Sequence, residues 1–86
     1  MLELSDDAVE ALRDIGALRL TAHETAGGEF DVEVLPADAP EEGDSVVERD
    51  DVRVFLDATA TGVLADQVLE IEPHGDHVHF GFSPQA

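Results

Sequence analysis

The sequence predicts a small, mainly β domain of the α+β kind, all-β in its core: a compact antiparallel sandwich or barrel of three hairpins, with an N-terminal helix and a short helix before the last hairpin. Three observations predict it. Apolar and polar residues alternate in paired runs, most plainly over residues 17–35, which is the period of a half-buried strand. Turn-forming residues join each pair of runs: Gly27-Gly28, Arg49-Asp50-Asp51 and Pro73-His74-Gly75-Asp76. One stretch near the N-terminus carries helical spacing instead. With 86 residues, the chain makes one domain over 1–86 with a single modest core, since a chain this short buries only roughly 60% of its unfolded surface.

The elements follow in order. Residues 2–4 form a short entry strand or an extended lead-in. Ser5 is a good N-cap, and Asp6 and Asp7 place negative charge where the helix dipole favours it. Ala8, Val9, Leu12 and Ile15 then share one face of a helix over Asp6–Ile15, and Gly16 closes it with a left-handed cap. Strands over 17–24 and 29–35 form the first hairpin. Leu18, Leu20 and Ala22 point to one side, matched by Phe30, Val32 and Val34. The run 36–45, with two prolines and several acids, cannot continue a ladder and reads as a solvated loop. Strands over 45–48 and 52–56 make the second hairpin, with Val52, Val54 and Leu56 inward. A short helix opens at Asp57 or Thr59 and runs to about residue 65, directing Val63 and Leu64 inward and weakened by Gly62. Strands over 68–72 and 77–82 close the fold, with Leu69, Ile71, Val78, Phe80 and Phe82 inward.

Composition excludes several functions. Twenty-one acidic residues face four arginines and no lysine, a net charge of −17. Such a chain repels nucleic acid and anionic membrane, so neither is an expected partner. The acidity fits a source working at high internal salt or a GC-rich genome. No run approaches a membrane span or a basic signal segment, so a cytoplasmic location is expected. There is no cysteine, hence no disulfide and no thiolate site within these residues. Catalysis finds no footing: GxSxG is absent, no cysteine nucleophile exists, and carboxylate pairs on so acidic a chain are ordinary surface.

One metal-ligand pattern is present, in His74-Gly75-Asp76-His77-Val78-His79. His77 and His79 stand two apart on one strand, so both project from its polar face, roughly 6.6 Å apart along the backbone. With Asp76 or Glu72 as a third ligand they would take a divalent ion; without one, two rim imidazoles bind weakly. His23 lies alone on the polar face of the first hairpin.

The ordered runs LSDDAVEALRDI, LRL, DSVVERDDVRVFLDATATGVLADQVLEIE and FGFSPQA, spread over residues 2–86, resemble the HesB-like family, the A-type iron–sulfur carriers. The resemblance implies a compact, mainly β domain with peripheral helices. It also implies a cluster held by three cysteines, one in the first hairpin and two in a Cys-Gly-Cys tail. Matched outward from Leu18-Arg19-Leu20, the first of these positions falls at about Gly27, and the tail would lie beyond Ala86. Iron–sulfur clusters need thiolates or a mixed His and Cys set, and two copies of this chain together would still bring no thiolate. The expected function is therefore that of a non-catalytic HesB-like domain with an accessory or protein-interaction role. No cofactor is expected, the protein partner is unspecified, and a homodimer is allowed. The alternative is weak binding of iron or another divalent ion by His77, His79 and Asp76.

Overall fold

In the computed structural model, which describes residues 1–85 and treats Pro73 and His74 through their backbone alone, the chain runs β1 (Glu3–Leu4), α1 (Asp6–Ile15), β2 (Leu18–Glu24), β3 (Phe30–Pro36), β4 (Ser45–Arg49), β5 (Val52–Leu56), α2 (Ala58–Val63), β6 (Gln67–His74) and β7 (His77–Pro84). Helix α1 has the predicted bounds. The Ser5 hydroxyl accepts from the Ala8 amide at 3.0 Å, and Gly16, at φ 97°, donates to the Leu12 carbonyl. Asp57, not Thr59, caps α2, accepting from the Ala60 amide at 2.7 Å.

All three hairpins form, and their strands assemble as two sheets, ordered β3-β2-β5-β4 and β1-β6-β7. The sheets are not wholly antiparallel. β2 runs parallel to β5 and β1 parallel to β6. The reason is the 37–44 connection, which carries the chain from one edge of the larger sheet, β3, to the other, β4. The two inner strands, β2 and β5, then meet in the same direction. Alternation fixes which face a side chain takes but says nothing about which strands become neighbours. With two helices packed against the sheets, the domain is α+β rather than all-β.

A single core joins the layers: Leu18, Leu20 and Ala22 of β2, Val52, Val54 and Leu56 of β5, Leu69 and Ile71 of β6, with Ala8, Val9 and Leu12 of α1 and Ala60 near Leu64 at α2. Helix α1 lies on β6 and β5, and α2 on β2 and β5. Four inward assignments need correction. Ile15, Phe30, Val78 and Phe80 are exposed, and Val32, Val34, Val63 and Phe82 only half-buried. β3 and β7 are edge strands, and α1, about 10 Å across, spans only two strands at about 4.8 Å spacing. Covering β6 leaves the start of β7 overhanging.

The run 36–45 is not merely a solvated loop. Arg19, on the outward face of β2, grips Asp44 with two hydrogen bonds, Nε to Oδ2 at 2.8 Å and Nη2 to Oδ1 at 2.9 Å. Glu41 lies 3.1 Å from Nη1 of the same arginine. The Asp44 side chain is 1% exposed and Arg19 18%. Opposite Arg19 in register, Phe55 is fully buried on this outer face, with the Arg53 guanidinium 5.7 Å from its ring centre. Phe55 is thus a buried residue, outside the main core, that the alternation did not assign.

Candidate functional site

Two places on this frame carry the chemistry that the sequence singled out. The first is the β2–β3 turn. Between Glu24 and Phe30, paired across the ladder, five residues close the hairpin. The Gly28 amide donates to the Thr25 carbonyl at 3.0 Å, and the Thr25 amide to the Glu29 carbonyl at 2.7 Å. Only Gly28 of the glycine pair takes positive φ, at 82°. Gly27 lies outside that region, and a Cβ added there would meet no atom within 4 Å. Gly27 offers no side-chain ligand, yet the backbone does not demand glycine at this position.

The second place is the polar face of β7. His77 and His79 are both exposed, as expected, and the Nε2 of His77 lies 3.5 Å from Oδ1 of Asp76. His79 stands opposite Glu72 in register. The His74 side chain lies outside the described residues. Among the described residues no group of three His, Asp or Glu side chains is placed to hold a metal ion. The turn tightens to Gly75-Asp76, with Gly75 at φ 65°. The Gly27 turn belongs to the larger sheet and His77 and His79 to the smaller, so the two places are built on separate sheets. His23 sits across the β2–β3 ladder from Asp31, 3.8 Å from its carboxylate, a cross-strand pair at the surface.

Electrostatics outside these places is structural. The two hydrogen bonds from Arg19 hold the Asp44 carboxyl below the ordinary carboxylate range, against the opposing pull of burial, and the Glu41 amide adds to the lowering. Arg13 does the same to Asp51 from across the α1 and β4–β5 surfaces. Arg49 joins the β4–β5 turn to Asp6 and to the Leu4 carbonyl.

A third feature escaped the sequence reading. Between α1 and the β6–β7 hairpin runs a groove of about 480 Å³, lined by Ala11, Ile15, Ile71 and Val78, with Asp7, Glu10 and Asp14 along its α1 side and Glu72, the register partner of His79, at its edge. Its one signal in the sequence is Ile15, which ends the apolar face of α1 one turn beyond the last core residue, Leu12. No helix among the described residues is long and apolar enough to cross a membrane.

No family model and no curated protein matches the sequence. Solved structures do match. IscA, in a crystal structure with the 2Fe-2S cluster, superposes with a TM-score of 0.78 at 16% identity, covering 98% of this chain and 85% of its own. Escherichia coli SufA, involved in biosynthesis of iron–sulfur clusters, gives 0.81 at 19% identity over 96% of this chain and 79% of its own. A protein from Aquifex aeolicus, solved by solution NMR, gives 0.71 at 23% identity over 95% and 89%. The resemblance carried by the ordered motifs is thus met at the level of architecture: the chain has the fold of IscA and SufA, with no cysteine among its 86 residues.

Proposed function

We propose that this chain is a non-catalytic relative of the iron–sulfur assembly proteins, one that acts through protein contacts and holds no cluster on its own side chains. The observation that carries this reading is the pairing of the IscA and SufA fold with a sequence that has no cysteine. A cluster needs thiolates, and the described imidazoles, His23, His77 and His79, are exposed. What such a fold retains, once its ligands are gone, is its surface.

The experiment is a capture of partners on immobilised protein from an extract of the source cells at their own salt concentration. The reading expects a partner retained in fixed proportion and belonging to iron or iron–sulfur metabolism. A column that retains nothing contradicts it. The other reading, a divalent-ion site at His77, His79 and Asp76, rests on the two imidazoles sharing one strand face with Asp76 beside them. Titration with Co(II) or Fe(II), followed through the histidine ring resonances, separates the two. Saturable shifts at His77 and His79, abolished by His77→Ala, favour metal; unmoved resonances leave protein contact.

A further inference from the structure

The groove between α1 and the β6–β7 hairpin differs from the rest of this acidic surface in having an apolar floor. Ile15 is 41% exposed and Val78 40%, and Phe80, two residues along the same face of β7, is 39% exposed. Beneath them Ile71 is fully buried, so the exposed side chains continue the core outward rather than standing singly. The rim has an order of its own. Asp7, Glu10 and Asp14 recur at i, i+3 and i+7 and therefore form one row along α1, next to the row of Ala11 and Ile15. Like charges at that spacing repel each other. Among the described residues lining the groove none is basic. Arg13, the arginine of α1, is turned away to Asp50 and Asp51 on the β4–β5 turn.

We infer that this groove is the docking site for a cationic amphipathic helix of a partner protein, its apolar row seated on Ile15, Ile71 and Val78 and its Lys or Arg side chains against Asp7, Glu10 and Asp14. The inference rests on the reading that the chain works through protein contacts, and names where and with what chemistry. Charge complementarity selects the occupant. An anionic partner, a second copy at −17 included, meets a rim of its own sign. A helix laid into an apolar groove is a recurring recognition mode, with anchors at i, i+3, i+4 and i+7. Docking would also relieve the repulsion along the acidic row of α1.

The test uses the whole chain and two synthetic peptides of about 18 residues, five helical turns, composed of leucine and lysine alone. In one the leucines recur at helical spacing; in the other the same residues are scattered. Backbone amide spectra of the isotopically labelled protein are followed on titration. The amphipathic peptide is expected to move the resonances of Ala11, Ile15, Ile71 and Val78, and to bind about tenfold tighter than the scattered one. Ile15→Ser and Val78→Ser, both at exposed positions that leave the fold intact, are each expected to weaken it about tenfold. Equal binding of the two peptides, shifts dispersed over the acidic surface, no binding, or full affinity in both variants overturns the inference. So does sedimentation showing a dimer that the two variants dissolve. Partner capture with the double variant separates this inference from the reading beneath it. A native partner retained by the double variant defeats the groove and leaves protein contact standing. A native partner lost only with the double variant supports both.

Discussion

Asp44 joins the crossover loop to the central strand. Its carboxylate is buried, doubly bonded to Arg19 and held below the ordinary range by that arginine. A carboxyl lowered on folding stabilises the native state above its unfolded value of about 3.9, and that contribution is lost as pH falls through the native value. Urea titrations should therefore show stability steady at neutral pH and falling below about pH 4. Asp44→Asn should cost about 1.5–3 kcal/mol at pH 7, the range for hydrogen bonds to charged groups, and flatten the acid limb. An unchanged midpoint would show that the pair does not hold the loop. The β2–β3 turn gives a second prediction. Gly27→Cys should change stability by less than about 0.5 kcal/mol, because the site is open and its φ ordinary. Gly28→Ala should cost about 1 kcal/mol or more, because φ is 82° there. The sequence marks Gly27-Gly28 as a turn without separating its members; glycines adjacent in a turn are not distinguishable until hydrogen bonds fix which residue reverses the chain.

At the scale of the elements, the sharpest contrast lies within one hairpin. Ile71 and Val78 share a face of the β6–β7 sheet, yet Ile71 is fully buried under α1 and Val78 is 40% exposed. Ile71→Ala should destabilise by about 2–5 kcal/mol, several times the loss from Val78→Ala, which should stay near 0.5 kcal/mol. Thermal unfolding checks both, at roughly 4–8 °C per kcal/mol for a domain of this size. Equal losses would mean that the groove is closed in solution. This contrast also marks how far the sequence could be read. Ser5, Gly16 and the Ala8, Val9, Leu12 spacing gave α1 its bounds because caps and period act locally. Val52, Val54 and Leu56 were legible as core for the same reason. Val78 and Phe80 were misassigned because alternation reports which side chains share a face, while whether anything covers that face depends on where a distant helix lies. The parallel pairings of β2 with β5 and β1 with β6 were illegible on the same ground, as was the Arg19–Asp44 clasp across 25 residues of chain.

For the molecule as a whole, charge and architecture set the behaviour. A net charge of −17 opposes compaction, and four arginines cannot neutralise it. Added salt shortens the Debye length to about 3 Å at 1 M, so the melting temperature should climb as KCl rises from about 0.1 to about 3 M. A flat profile would show that self-repulsion is already compensated in the fold. The first hairpin was legible from its alternation, because that pattern acts locally. The groove was not, because it exists only where α1, β6 and β7 meet. The function proposed above has the fold of IscA and SufA serving here with no cluster on this chain's own side chains. Anaerobic incubation with Fe(II), sulfide and thiol, followed by desalting and visible spectroscopy, tests it most directly. Colourless protein with no iron or sulfide retained is expected; a desalted sample with charge-transfer bands and iron and sulfide in equal amounts, bound in proportion to the chain, would overturn the proposal.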